Sequence, residues 1–576
     1  MKKYLMKSMA LLLALLLCLS VIGCHPTTQN GGETTEGTTQ AATEREPIVL
    51  DYEGDLTPGG TPEIRAEYGD SVYVGKGIPA FCYTEEQATK LLEQIEELYD
   101  ILENGTPESF VNAFHSVNFG AFAELTTQCR LAWLECDLYR NDPQADENYL
   151  WMNALFGDAA IKLNKLYRLA YGTPAGDLLF KGWSEQSIRI ALANADGADD
   201  ALRELLHKHE ELTVQYYEVF DREDGLDAMV PLFTEFVRVN NAMAQKMGYD
   251  NYIDYAYECD YRREYAPEDI EQVRQFAKEQ LAPLQERVRD ELLALDEIMQ
   301  DEEFAAAEVL YYLRYDNEAV NAYIQSVSES FGNAYTDLWE KEYYCLAYDD
   351  SASKISAYQE MLPSLKRPFL YIGPGYTDAQ AIVHEYGHYY SALVAPDRKI
   401  SYDLAELQSQ GNEWLLLAYL SEQYNDNAVL HVNLERLYNA LDNVMLYLCM
   451  DEFEQEIYAN PEKYTDHESL DALYTEIVSG YVDPEYFNLD YWHYVVFDYE
   501  AYFASYAVSL IPCIELYYLA ETDMDAAKQT YLSLIEYEGD LTFSEVLESA
   551  GLQNPLDPHY TVIDFETLLA LMKQKQ

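Results

Sequence analysis

A chain of 576 residues is too long for one ordinary hydrophobic core unless it forms a single large helical body, and its 49% apolar and 14% aromatic residues exclude a disordered protein. Its 102 acidic residues against 37 basic ones give a formal charge of −65. Such a surface repels phosphate, so the composition excludes nucleic acid as a partner, and a negative cleft would favour cationic peptides.

The first 47 residues carry the signals of an exported, membrane-anchored protein. Lysines at positions 2, 3 and 7 precede an apolar run over residues 9–19, which is typical of a secretory signal and too short for a spanning helix. The sequence Val-Ile-Gly-Cys then ends at Cys24 and resembles the lipobox of bacterial lipoproteins. We therefore predict a lipoprotein signal peptide over residues 1–23 and a flexible stalk over residues 24–47. A lipid on Cys24 would anchor the chain on the extracytoplasmic side of a bacterial cell membrane.

The rest of the chain is predicted to be almost entirely helical. Amphipathic helical patterns cover residues 84–103, 124–139, 228–247, 269–299 and 434–458, and Thr84 is the expected start of the first. No other apolar run is expected to be long enough to span a bilayer. The best strand candidate is residues 367–372, which we predict to be an edge strand because a proline lies near its start. We divide the body into an N-terminal helical region, residues 48–200, and a second domain, residues 201–576.

The strand candidate leads into the one motif that carries obvious chemistry. A helix predicted to start at Thr377, with Gln380 completing its capping box, continues into His384, Glu385 and, one turn later, His388. Four residues make slightly more than one helical turn, so both imidazoles lie on one face and can bind a single zinc ion. Glu385 lies beside them, where it could polarise the metal's water.

A catalytic zinc site needs a third protein ligand and an open position for water. The next predicted helix, over residues 403–414, presents Glu406, Gln410 and Glu413 along one face. Either glutamate could serve as the ligand, and spacing alone does not choose between them.

These motifs resemble those of the thimet oligopeptidase and oligoendopeptidase F family of zinc peptidases, and most closely the oligoendopeptidase F branch. The resemblance rests on His-Glu-x-Gly-His followed by Glu406-x-x-Ser409-x-x-Asn412-Glu413, and on segments at 247–252, 265–269 and 368–370. It extends from about residue 201 to the C-terminus. It implies His384, His388 and Glu406 as ligands of one zinc ion per chain and Glu385 as general base. It also implies an all-α, two-lobed body with a deep substrate channel and one small β-sheet beside the zinc-binding helix.

Near the C-terminus, the resemblance implies that His493, Tyr499 and Tyr506 face the scissile carbonyl, while it gives Tyr502 no role. Phenol and imidazole donors can stabilise the oxyanion of a tetrahedral intermediate, which makes that role chemically sensible. In a chain with 52 tyrosines, an aromatic helix face is equally consistent with a packed core. Departures from the family pattern, such as Ser391 in place of a histidine, remove neither ligand nor base.

The sequence therefore predicts a zinc metalloendopeptidase that hydrolyses short oligopeptides with zinc-activated water and a glutamate base. A metallocarboxypeptidase with the same ligands remains open, and so does a lipoprotein that binds peptides without cleaving them. An intact Glu385 argues against a pure binder, which has no need of a base beside the metal. The sequence does not indicate the cleavage preference or the oligomeric state.

Overall fold

The computed structural model describes residues 72–574, apart from residues 140–141, 198, 221–224, 349–352, 425, 482–491, 499 and 562. The predicted signal peptide, the stalk, Cys24 and Tyr499 therefore lie outside the described residues.

The described chain is mainly helical, as predicted. Its first helices are α1 (Glu85–Asn104), α2 (Pro107–Ser116), α3 (Ala123–Leu138), α4 (Pro143–Ala170), α5 (Pro174–Leu179), α6 (Glu185–Gly197), α7 (Asp200–Phe220), α8 (Gly225–Lys246), α9 (Tyr252–Tyr255), α10 (Ile270–Phe276), α11 (Ala282–Asp296), α12 (Asp301–Tyr311), α13 (Glu318–Val327) and α14 (Glu329–Glu340). The later helices are α15 (Ala379–Val394), α16 (Tyr402–Gln423), α17 (Asn427–Ala459), α18 (His467–Val478), α19 (Trp492–Asp498), α20 (Phe503–Thr522), α21 (Met524–Ser533), α22 (Phe543–Ala550) and α23 (Phe565–Gln574).

The helices predicted from amphipathic patterns form close to their expected positions. Thr84 caps α1, where its side chain and that of Gln87 make a reciprocal capping box. The pattern over residues 269–299 was expected to form one helix, but the structure interrupts it. A π-helical turn at Ala277–Leu281 lies between α10 and α11, so the local backbone departs from the i→i−4 ladder while the apolar face continues.

A four-stranded sheet is formed by β1 (Val72–Val74), β2 (Tyr344–Ala347), β3 (Ala357–Leu362) and β4 (Arg367–Ile372), in the order β1-β2-β4-β3. The predicted strand β4 forms at its expected residues, but the prediction of an edge strand is wrong, because β4 pairs with both β2 and β3. Pro368 is tolerated because pairing with β2 begins only at Leu370, whose backbone N–H donates to the carbonyl of Tyr343. The nitrogen of Pro368, two residues before Leu370, faces the same edge of β4. Because β2 does not extend that far, no hydrogen bond is lost there.

Within the described residues, the buried apolar side chains form three clusters. One lies wholly within the N-terminal helices, between Tyr83 and Ala191. The largest contains most of the remaining helices, and a small third cluster joins the sheet to α3. The sheet also packs through β3 and β4 against α15, so the predicted small sheet lies beside the helix that carries His384 and His388. The proposed domain boundary at residue 200 and the two-lobed shape stay predictions.

One described helix, α20, is long and apolar enough to cross a membrane, so the expectation that no further run of this kind exists is wrong. However, 78% of its most apolar 18-residue stretch is buried inside the protein. The helix packs against α16, α17 and α21, with its largest contact on α16. We therefore interpret α20 as a core helix that packs behind α16.

Candidate metal centre

The helix that carries the His-Glu-x-x-His motif is α15, and it begins one residue later than predicted. Asp378, rather than Thr377, is the N-cap, and its carboxylate accepts the backbone N–H of Ala381 at 3.0 Å. Gln380 is not part of a capping box, because its side-chain amide donates instead to Glu413 on α16. The start of α15 is thus tied to the neighbouring helix.

Close packing of α15 on α16 brings the candidate ligands together. A Cβ added at Gly387 would lie 2.8 Å from Gln408 O and from Ser409 Cα, so only glycine permits this approach of the two helices. Asn412 Nδ2 on α16 also donates to the carbonyl of Val383 on α15 at 2.8 Å. The glycine within the motif is therefore explained by packing.

His384, His388 and Glu406 meet at this helix contact. Nε2 of His384 lies 3.6 Å from Oε2 of Glu406, and Nε2 of His388 lies 3.7 Å from Oε1 of the same carboxylate. One potential ligand atom from each residue lies within 4.8 Å of the others, which makes a group able to hold a metal ion. Two imidazole nitrogens and one carboxylate form a donor set that zinc prefers.

Glu413, the alternative ligand left open by the sequence, has a different position. Its Oε1 lies 2.6 Å from Nδ1 of His384, on the side of the ring away from Glu406. Burial would lower the pKa of His384, but the hydrogen bond and the charge of Glu413 raise it to about 10. With Nδ1–H donated to Glu413, the ring is held so that Nε2 points toward Glu406 and His388, where a bound metal ion would displace the Nε2 proton.

Glu406 is fully buried and receives two hydrogen bonds. The hydroxyl of Tyr502 donates to Oε1, and Ser409 Oγ donates to Oε2 at 3.2 Å. Burial raises the pKa of this carboxyl, while the neighbouring His384 lowers it. Sequence reasoning gave Tyr502 no role, and no sequence signal could have paired it with a glutamate 96 residues away.

Glu385 lies next to the two histidines with only 4% of its surface exposed. Its Oε2 is buried and has no hydrogen-bond partner among the described residues. Burial raises the pKa of Glu385 to about 7, although the charge of His384 and the backbone of Gln359 in β3 oppose the rise. A carboxylate with a free oxygen and a pKa near neutrality can accept and return a proton.

A cavity of about 200 Å³ opens beside these groups and is lined by His384, Glu385, Gln410, Tyr447 and Tyr506 among others. The structure thus places Tyr506 on the wall of the cavity that Glu385 lines, and its role toward the scissile carbonyl stays a prediction. His493 does not line this cavity; its Nδ1 lies 3.2 Å from the hydroxyl of Tyr216. Burial lowers the pKa of His493 to about 4, so the ring is neutral near pH 7.

Several solved structures share this arrangement of elements. A Bacillus anthracis protein named as an oligoendopeptidase F superposes with a TM-score of 0.69 and 15% identity, covering 86% of this chain and 98% of its own. PZ peptidase A bound to an inhibitor gives 0.69 and 16%, covering 86% and 97%, and oligoendopeptidase F from Enterococcus faecium gives 0.53 and 14%, covering 85% and 97%. The chain has the oligoendopeptidase F fold.

This fold confirms the resemblance drawn from the motifs at the level of architecture. No family model matches the chain, and no curated protein matches it. The oligoendopeptidase F fold therefore places α15 and α16 in a known architecture, while the identity of each site residue rests on the geometry described above.

Proposed function

We propose that this chain is a zinc-dependent metalloendopeptidase of the oligoendopeptidase F family that hydrolyses short oligopeptides. The observation that supports this most directly is the meeting of His384, His388 and Glu406 beside the unpartnered carboxylate oxygen of Glu385. Keeping the fully buried carboxylate of Glu406 beside two half-buried imidazoles is costly without a cation between them. The same groups become mutually satisfied when a metal ion is bound.

The residues present fit one zinc ion. His384, His388 and Glu406 would hold it, and three protein ligands leave one position open, as in catalytic sites. When bound, zinc lowers the pKa of a water molecule and polarises a carbonyl oxygen. Glu413 keeps His384 in the tautomer that a metal requires, and Tyr502 and Ser409 hold Glu406 in place.

The chain's own residues supply the proton transfers. Glu385 accepts a proton from the attacking water at its free Oε2 and passes it to the nitrogen of the leaving amine as the C–N bond breaks, which a pKa of about 7 permits in both directions. Tyr506 lines the same cavity as Glu385, and burial together with the nearby Glu406 raises the pKa of its hydroxyl well above the ordinary value. It therefore stays protonated and can donate to the oxygen on which charge develops. The roles predicted for His493 and Tyr499 are not part of this mechanism.

We also propose that a lipid on Cys24 holds the enzyme on the extracytoplasmic side of a bacterial membrane. The support lies wholly in the sequence, in the basic start, the apolar run and the small residue before Cys24. Substrates would then be peptides outside the cytoplasm.

The purified full chain tests the proposed activity. We expect about one zinc per chain, and we expect a chelator to abolish hydrolysis without loss of helicity, because a large apolar core does not need the metal to fold. Peptides blocked at both ends should be cut in their interior. Cleavage only when the C-terminus is free would favour the carboxypeptidase, and tight binding without any hydrolysis would favour the peptide-binding lipoprotein.

A further inference from the structure

We propose that Arg436 binds a carboxylate of the substrate, which makes peptides with a free C-terminus or an acidic side chain the preferred substrate class. This inference rests on the proposed peptidase function and extends it to substrate choice. The chemistry recognised is the carboxylate itself, whether it comes from the chain end or from an Asp or Glu residue.

Helix α17 carries Arg436 along the wall of the cavity that His384 and Glu385 also line. Cavity-lining residues of α17 recur every three or four positions, which places them on one face: Val432, Arg436, Asn439, Ala440, Asn443 and Tyr447. Tyr447 lies at the catalytic end, with its ring 5.1 Å from that of Tyr506. Asn443 contributes a buried Oδ1 without a hydrogen-bond partner among the described residues. The stripe therefore brings the polar side chains of Arg436, Asn439 and Asn443 to the same cavity wall.

The guanidinium of Arg436 is held firmly but is mostly unused. Its Cζ lies 3.7 Å from the ring centroid of Tyr311, and Nη2 donates to the carbonyl of Tyr311 at 3.0 Å. Among the described residues, Arg436 makes no other hydrogen bond and has no carboxylate oxygen within 4.0 Å. A guanidinium has five N–H donors, so most of the donors of Arg436 remain available to a ligand. Stacking on Tyr311 fixes its plane, which lowers the entropy cost of binding a carboxylate with two parallel hydrogen bonds.

The acidic groups near Arg436 do not neutralise it by contact. The charge of Arg436 lowers the pKa of Asp378, but burial raises it more strongly, and the carboxylate of Asp378 is engaged by Ala381 N. Glu435, the next residue, lies with one oxygen 3.8 Å from His431. Although the excess of 102 acidic over 37 basic residues favours cationic peptides in general, a cavity arginine without a carboxylate partner gives this part of the cavity a local preference for a carboxylate supplied by the substrate.

The position of Arg436 also bears on the length of the product. Arg436 and Tyr447 are 11 positions apart on α17, which corresponds to about 16 Å along the axis. An extended peptide advances about 3.3 Å per residue, so a carboxylate held at Arg436 lies on the order of five residues from the catalytic end. Binding at Arg436 therefore favours release of short fragments rather than of single C-terminal residues.

The test compares matched peptides of about ten residues. One pair differs in a free against an amidated C-terminus, and a second pair differs in Glu against Gln at one internal position. For the wild-type enzyme we expect kcat/KM to be about tenfold or more higher for the member with the carboxylate. The pair that shows the preference identifies the source of the carboxylate. In Arg436→Gln this ratio should fall toward one, mainly through KM, and Arg436→Lys should keep an intermediate ratio because it retains the charge without the fork.

Arg168→Gln is the matched control, because it removes the same charge from α4, where Arg168 pairs with Asp196 and lies outside the cavity. It should leave the ratio unchanged. Equal loss for both members of each pair in Arg436→Gln would overturn the proposal and assign Arg436 to the support of Tyr311 alone. If the wild type hydrolyses none of the peptides, the proposed function fails. The role of Arg436 is then decided by equilibrium binding of the same peptide pairs to two proteins, the Glu385→Gln variant and the double variant that also carries Arg436→Gln. Equal affinity within each pair for Glu385→Gln would then refute it.

Discussion

Tyr502→Phe is the most informative single change at the metal centre, because it removes one oxygen atom and leaves the packing in place. The Tyr502 ring lies among the rings of Tyr261, Tyr402 and Tyr506, with centroids 5.5, 5.7 and 4.8 Å away. A phenylalanine ring keeps these contacts. The hydroxyl donates to Oε1 of Glu406, so its removal leaves Ser409 as the donor to this carboxylate among the described residues.

The expected effect is a loss of zinc affinity. Partners that hold a metal ligand in place contribute about 10- to 100-fold to metal affinity, which equals about 1.4 to 2.8 kcal/mol. We expect the zinc dissociation constant of Tyr502→Phe to rise within this range, and kcat measured at saturating zinc to change much less.

Competition with a chromogenic chelator measures the dissociation constant, and Tyr506→Phe is the neighbouring control. Tyr506 lines the cavity without a hydrogen bond to Glu406 among the described contacts, so its variant should keep the zinc affinity. It should instead lose about 10²- to 10³-fold in kcat, as expected when one oxyanion donor is removed. An unchanged dissociation constant in Tyr502→Phe, or a weakened one in Tyr506→Phe, would refute this assignment of roles.

Five further substitutions test other parts of the interpretation. Glu385→Gln should retain zinc and peptide binding but lower kcat by at least about 10²- to 10⁴-fold, and near-normal turnover in a stopped assay would exclude it as the base. Glu413→Gln should weaken zinc binding about 10- to 100-fold, whereas Glu406→Gln should abolish it; the reverse order would mean that the third ligand has been misassigned. Burial and the nearby Glu500 raise the pKa of Asp260 from 3.8 to about 7, so its ionisation opposes folding as the pH rises from about 4 to about 7. Asp260→Asn should therefore raise the denaturation midpoint at about pH 8 and not at about pH 4, and an equal shift at both pH values would contradict this reasoning. Cys24→Ser should block lipid labelling and release the chain from the membrane fraction, and an unchanged membrane fraction would refute the lipid anchor.

The sequence alone determined the features that depend on local periodicity. Apolar residues at helical spacing defined α1, α3, α8 and α17 to within several residues, because each pattern is set by contacts along one helix. The same periodicity placed His384 and His388 on one face of α15. The His-Glu-x-x-His motif, proposed to bind zinc, could therefore be read without knowledge of any other element.

The tertiary structure decided which partners those faces meet. Glu406 and Glu413 share one face of α16, and only the packing of α16 on α15 puts the first near both Nε2 atoms and the second on Nδ1 of His384, 29 residues away. Long-range packing likewise made β4 a central strand and placed Tyr502 on Glu406. These outcomes depend on how distant segments fit together, for which short-range patterns of residue type carry no information.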